Sequence, residues 1–377
     1  LPDSVPTLAE ILRGAGYATG GFVGGPFLRT EFGLARGFDR YVQPDPRSHG
    51  DVSELLPQVF EWIRSVGDRP YFLFVNVFDP HAPYDPPPLA SSTGAAAEEE
   101  SPGRLRRYVP GKDPPPAARD IRSLRALYEA EIREADRGIG RLLAFLESRG
   151  DLDGDCLIAV TADHGEAFGE NGHHGHGAPG YETQVHVPLL LFAPGRIPDG
   201  IEFDPVVETR WLFPTILESA GVDRPEGTEG ENLAELAATG TAPARDVALV
   251  ERFAGEMPHF TVRRGPYKYY RELRPGRAVE RIVDLREDPE EVILFKPGKL
   301  RRLREIDPDR TERLERALRS LREVLDRHLA ESVRTAGLLA APPAAPPSRE
   351  ASSQALSPEA RELLLRLGYL QGEDSNE

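Results

Sequence analysis

The chain has 377 residues, 39% of them hydrophobic and 29% charged, the composition of a folded protein with room for a large core or two domains. Its formal net charge of −16 excludes a broad basic surface for nucleic acid. No apolar run reaches the roughly 18 residues that a membrane helix needs, and the single cysteine, Cys156, excludes an intrachain disulfide.

In chain order, Thr7-Leu8-Ala9-Glu10 is a capping box and predicts a short helix that ends near Gly14 and Gly16. Residues 17–23 read as a strand. The spacing of Leu55, Leu56, Val59, Phe60 and Ile63 predicts an amphipathic helix over 52–66. The unbroken apolar run 71–78 suits a strand covered on both faces, as in a parallel sheet. Residues 88–119, rich in Pro, Ala, Gly and Glu, read as a mobile surface insertion or lid. A long helix over 121–148 follows, with Leu124, Leu127, Ile132, Ala135, Ile139, Leu142, Leu143 and Leu146 as its buried stripe. Residues 156–161 form a second strand, with Cys156 buried in it, and 187–192 a third; a helix over 211–219 stops at Gly221. This alternation argues for an α/β sheet with helices on both faces. Past Pro225 the pattern changes to short strands at 247–251, 260–264, 267–271 and 281–285, which suit a small antiparallel sheet. A charged helix over 309–332, a Pro/Ala linker at 340–347 and a short helix at 358–365 complete the chain.

Three loops carry chemistry. At the carboxyl end of the 156–161 strand stands Asp163-His164-Gly165-Glu166, a hard oxygen ligand and an imidazole offered to one metal. An aspartate capping the next segment beside a solvated histidine is the plain alternative. Next comes Gly169-Glu170-Asn171-Gly172-His173-His174-Gly175-His176-Gly177, which brings imidazoles near that strand end; such a residue can bind an anion or protonate a leaving oxygen. A surface loop or a separate zinc site are its other readings. The third is Asp79-Pro80-His81-Ala82-Pro83-Tyr84-Asp85-Pro86-Pro87, where prolines hold His81 in place after the 71–78 strand or serve only as turn residues.

Together these segments resemble the sulfatase family of the alkaline-phosphatase superfamily, over nearly the whole chain. LPDSVPTLAEILRGAG, Gly33 to Asp39, FDPHAPYDPP, TADHGEAFGENGHHGHG with HVPLLLFAPG, Phe213 to Leu217, Asp284 to Pro289 and Leu367-Gly368-Tyr369-Leu370 carry the resemblance. It implies an alkaline-phosphatase-like α/β sandwich: a large, mostly parallel sheet flanked by helices, plus a small C-terminal antiparallel sheet with a helix. The implied division is a catalytic domain at 1–225, an α+β subdomain at 226–335, and a linker with terminal helix at 336–377. Asp163 and His164 match metal ligands of the family, whose metal is usually calcium, with manganese or zinc in phosphodiesterase-like members. His176 matches the residue that contacts the sulfate and assists the leaving group. His81 matches a substrate-binding and catalytic histidine, and His174 flanks the anion. Asn171 stands where many members have histidine.

The resemblance is to an N-terminally truncated bacterial-type member. It places a first Asp ligand pair and a formylglycine nucleophile upstream of Leu1, so that the chain alone is expected to be inactive; Cys156 lacks the Pro and Arg of the nucleophile signature. The implied activity is metal-dependent sulfate ester hydrolysis, on a sulfated small molecule or glycan. The alternatives are a phosphodiesterase or phosphonate monoester hydrolase, and a non-catalytic binder of sulfated glycans. A periplasmic or secreted location is expected if a signal peptide precedes Leu1, and a cytoplasmic one otherwise.

Overall fold

The computed structural model describes residues 5–44, 49–86, 114, 116–177, 180–253, 257–274 and 276–339. The expected lid lies outside the described residues over 88–113, as do the 340–347 linker, the 358–365 helix and the Leu367 to Leu370 ending. The chain packs as two compact units, one built on Leu1–Cys156 with Ala220–Asp223, the other on Leu157–Ser219 with the segment from Arg224 onward.

In the first unit the capping box forms as read. Thr7 Oγ1 accepts the Glu10 N–H at 3.1 Å, the Glu10 carboxylate accepts the Thr7 N–H at 2.8 Å, and helix α1 runs Leu8–Gly14. Strand β1 (Ala18–Val23) is buried throughout and lies between β2 (Arg40–Val42) and β3 (Tyr71–Asn76), all parallel. Gly20 sits in β1 because a Cβ there would lie 2.7 Å from the Trp62 indole. Trp62 belongs to α2 (Val52–Val66), the crossover from β2 to β3, which buries Val52, Leu55, Leu56, Val59, Ile63 and Val66. Each such side chain contributes about 1.5–3 kcal/mol on burial.

Helix α3 (Ala118–Arg149) ends at Gly150 in the left-handed conformation. Its inner face departs from the expected stripe. Ile132 is 42% exposed, while Ala130 and Glu131 face inward with Leu124, Leu127 and Leu146. The reason is a polar tie: Glu131 Oε1 accepts the Asp85 N–H at 2.7 Å. A second tie holds the same loop, because Asp79 Oδ2 accepts the Val52 N–H at 2.8 Å and caps α2, whose N-cap Asp51 makes no side-chain capping bond.

These carboxyls crowd one another. Burial, then Asp79, Asp51 and Asp85, pushes Glu131 up to about 8. Burial and the neighbouring acids push Asp51 up to about 6, and burial raises Asp79. A raised folded-state value means that stability is full below the unfolded value near 4.5 and falls as pH rises toward about 8. Glu131→Gln keeps the acceptor for Asp85 and removes the charge. Its melting temperature should fall less than the wild-type one between pH 5 and pH 8.5, the difference corresponding to about 3 kcal/mol. Parallel melting curves across that range would refute it.

In the second unit β4 (Ile158–Thr161) pairs antiparallel with β7 (Leu189–Phe192). Cys156 precedes β4 and is only partly buried, because the strand begins two residues later than expected. Between β4 and β7 lie the short pair β5 (Ala167–Phe168) and β6 (His174–Gly175) and the single-turn α4 (Glu182–Val185). Helix α5 (Leu212–Ser219) matches expectation; α6 (Leu233–Thr239), capped by Asn232, is too short for its pattern to stand out.

The expected antiparallel sheet follows as β8 (Ala248–Arg252), β9 (His259–Arg264), β10 (Tyr267–Arg274) and β11 (Arg277–Asp284), a meander in order β11-β10-β9-β8. One face packs Val262, Tyr269 and Ile282 against Leu300 of α7 (Pro297–Arg304) and Leu314, Leu318, Leu321 and Leu325 of α8 (Pro308–Leu339). The α/β class thus stands, with parallel strands early and a helix-covered antiparallel sheet late. Among the described residues no helix is long and apolar enough to cross a membrane.

Candidate functional site

The Asp163-His164-Gly165-Glu166 corner leaves the end of β4. Gly165 passes so close to α4 that a Cβ would lie 2.3 Å from the Thr183 carbonyl oxygen, and its N–H donates to Gln184 O at 2.9 Å. No other residue fits there without displacing one backbone from the other. The His164 N–H donates to Asp163 Oδ1 at 3.0 Å, and His164 Nδ1 lies 2.8 Å from Gly165 O. Donation from Nδ1 to that carbonyl leaves the ring lone pair on Nε2. His164 Nε2 and Asp163 Oδ2 are 3.8 Å apart, a separation that one divalent cation can bridge. Asp163 has no Lys or Arg partner among the described residues, as suits an acid kept for a cation. The pair therefore fits as part of a coordination shell; among the described residues no three acidic, histidine or cysteine side chains form a metal cage by themselves.

The glycine-rich loop returns His176 to this corner. Its ring stacks on that of His164, with centroids 4.2 Å apart and planes at 29°. His176 Nδ1 lies 3.3 Å from Oε1 of Glu166, whose side chain is 4% exposed. A buried carboxylate facing Nδ1 orients the imidazole and sets its Nε2 edge for proton exchange. Glu166 received no role from the sequence, although it stands in the motif; an acid there is a detectable signal only once His176 is known to fold back on it. His174 lies in β6 and is half-buried. His173 packs its ring 5.4 Å from that of Tyr181; burial, followed by Arg252 and His174, holds it below the usual histidine range. Asn171 adopts a left-handed conformation and donates its amide to Glu290 O at 3.1 Å, which fastens the loop.

Behind the corner, α4 is held by buried charge. Lys268 Nζ lies 2.6 Å from Glu182 and 3.0 Å from Glu291, Arg263 meets Glu182 at 2.5 Å, and the Tyr270 hydroxyl donates to Glu291. The Glu182 N–H also donates to Glu291 at 2.7 Å. Burial opposes ionisation of Glu182, but Lys268 and Arg263 outweigh it and hold the carboxyl below its ordinary value. Burial and Glu291 raise the Tyr270 phenol.

His81 belongs to the first unit, on the loop after β3. Its Nδ1 lies 2.5 Å from Ala82 O, its N–H donates to Phe78 O at 2.7 Å, and its ring stacks 4.4 Å from Phe78. The Asp79–Pro80 and Ala82–Pro83 bonds are cis. Of the five expected site residues, Asp163, His164 and His176 thus meet in one constellation, His174 stands on the strand leading into it, and His81 is built into the other unit.

The sulfatase family profile matches residues 1–222, and the profile of the N-sulphoglucosamine sulphohydrolase C-terminal region matches residues 169–315. The chain is 29% identical over 243 residues to an arylsulfatase of Clostridium perfringens, 59% of this chain and 49% of that protein. It is 28% identical over 227 residues to a multifunctional alkaline phosphatase superfamily protein of Trinickia caryophylli, 52% of this chain and 43% of that one. The chain therefore spans about half the length of these relatives or less. In fold it is similar to a phosphonate monoester hydrolase from Silicibacter pomeroyi, with a TM-score of 0.68, 21% identity and coverage of 87% and 81% of the two chains. A structure holding its substrate D-glucosamine-2-N,6-O-disulfate matches with a TM-score of 0.64 at 18% identity, over 85% and 83% of the two chains. The fold is that of the alkaline-phosphatase superfamily, and with its profile covering the first 222 residues and the Asp-His-Gly corner inside that span, the chain belongs to the sulfatase family.

Proposed function

We propose that the protein hydrolyses sulfate esters of a small molecule or glycan with the help of one divalent cation, calcium by preference. The observation that carries this reading is the stacking of His176 on His164, with Glu166 buried behind it, at the end of β4. Asp163 and His164 would hold the cation, which when bound offsets negative charge on the sulfate oxygens. His176, oriented through Nδ1 by Glu166, delivers a proton from Nε2 to the departing alkoxide. His174, on β6, contributes to holding the anion. The formylglycine nucleophile of the family belongs to this proposal for the complete enzyme. The phosphonate monoester and phosphodiester reading is the second one, which the likeness in fold to the Silicibacter phosphonate monoester hydrolase fits.

A leaving-group series tests the role of His176. In the complete enzyme, His176→Ala should reduce turnover of alkyl sulfates by about 10²–10⁴-fold, and that of aryl sulfates with acidic phenols far less. A uniform loss across the series would remove His176 from proton transfer. Running the same aryl groups as sulfates, phosphonates and phosphodiesters ranks the two readings; a preference of the wild-type enzyme for phosphonates would overturn the first.

A further inference from the structure

The second face of the four-stranded sheet, opposite α8, carries charge in rows. The pairing aligns Ala248, Arg263, Lys268 and Val283 in one row, Val250, Thr261, Tyr270 and Arg281 in the next, and Arg252, His259, Glu272 and Val279 in the third. Residues two apart on a strand share a face, so all three rows point the same way. The histidine loop lies on this face. Tyr181 packs 5.7 Å from Tyr270, a Cβ on Gly180 would lie 2.7 Å from Thr261 Oγ1, and a Cβ on Gly177 would lie 4.0 Å from Nε and Nη2 of Arg252. Arg252 therefore stands beside the residue that follows His176.

Two of the four Lys and Arg side chains in these rows are matched. Arg263 and Lys268 hold Glu182, and Arg274, on the same strand as Glu272, holds that acid at 2.7 Å. Arg252 and Arg281 are different: both are half-buried, and among the described residues neither makes a hydrogen bond or a close ion pair, although Arg281 bears electrostatically on Glu272. The chain carries 62 acidic residues against 46 basic ones, so carboxylates are not scarce. A partly desolvated guanidinium left unmatched beside a reactive imidazole is poised for an anion supplied from outside. Arg281 stands on the same face, since its row follows the strand pairing that also carries Arg252, and both bear electrostatically on His259 together with Glu272 and Arg274.

We infer that Arg252, supported by Arg281, forms an anion subsite beside His176 that receives a second acidic group of the substrate. This inference rests on the sulfate ester reading and narrows it: the preferred ester carries a carboxylate or another sulfate besides the scissile one. Neutral alcohol sulfates leave Arg252 unmatched and are poorer substrates.

The test is steady-state turnover by the complete enzyme, at fixed ionic strength, of phenyl sulfate, 3-carboxyphenyl sulfate and benzene-1,3-diyl bis(sulfate). The expected result is a wild-type preference in kcat/KM of about tenfold for the doubly charged esters, and about a tenfold drop in that preference in Arg252→Ala. Arg252→Lys should keep part of it, and Arg252→Gln replaces the alanine variant if that one does not fold. Comparison of the two doubly charged esters tells a carboxylate-selective subsite from a sulfate-selective one. No preference in the wild-type enzyme, or an equal loss on singly and doubly charged esters, overturns the subsite. Failure of the hydrolase reading looks different, since no ester is then turned over. Calorimetric binding of benzene-1,3-disulfonate decides in that event: tighter binding by wild type than by Arg252→Ala upholds the subsite, and equal affinity discards it.

Discussion

Asp163→Ala in the complete enzyme should abolish turnover of an aryl sulfate, by about 10³-fold or more, and lower the affinity for calcium. The expectation follows from the pairing of Asp163 Oδ2 with His164 Nε2 at 3.8 Å, at a strand end where the acid has no competing cation among the described residues. Removing the carboxylate deletes the anionic half of the pair. It also removes Oδ1, which accepts the His164 backbone N–H at 3.0 Å, so the turn that presents the imidazole loses one of its ties. Metal content after dialysis, calcium titration and turnover provide separate readouts. Asp163→Asn keeps the backbone anchor and should recover little metal affinity, because the charge is what the cation requires. Full metal content with full turnover in Asp163→Ala would remove the residue from the site.

The second large effect concerns stability. Lys268→Met should destabilise the protein by about 3–5 kcal/mol, because it strands the buried carboxylate of Glu291 and leaves Glu182 to Arg263. Lys268 is 1% exposed and Glu291 2%, so water cannot replace the lost ammonium without opening the fold. The consequence reaches the site. Glu182 begins α4, and the Gln184 carbonyl of α4 receives the Gly165 N–H, so slackness in the ionic brace is transmitted to the corner that carries Asp163 and His164. Calcium affinity in Lys268→Met is therefore expected to fall as well. The double variant Lys268→Met/Glu182→Gln should be less destabilised than the sum of its parts, as its partner charge is gone too. Denaturant midpoints and calcium titration measure both effects. A midpoint shift below that of an ordinary surface substitution would show that the brace carries no stability.

Local chemistry in the chain determined a good deal of this protein. The Thr7–Glu10 capping box, the apolar spacing that sets α2 at Val52–Val66, and the strands of the antiparallel sheet are all written in neighbouring residues. So is the arrival of Asp163 and His164 at a strand end, since an apolar run that stops at Thr161 leaves the next residues in a loop. Family motifs along the sequence made Asp163, His164, His174, His176 and His81 the candidates.

Other features were decided only in three dimensions. Ile132 was expected inside α3 on hydrophobicity alone, yet Glu131 took the inner position because a backbone N–H from Asp85, 46 residues away, needed an acceptor there. α2 is capped by Asp79 rather than by its own N-cap Asp51. The Glu166–His176 contact requires the loop to reverse, and the brace joins Glu182 to Lys268 across 86 residues. Helical and strand periods report which side of an element is apolar, and caps and turns report its ends. They do not report which distant polar group will face a given carboxylate or guanidinium. Buried polar groups must be matched wherever the fold brings them, so the partners of Glu131, Glu166 and Lys268, and the lack of one for Arg252 among the described residues, came from tertiary packing and not from pattern.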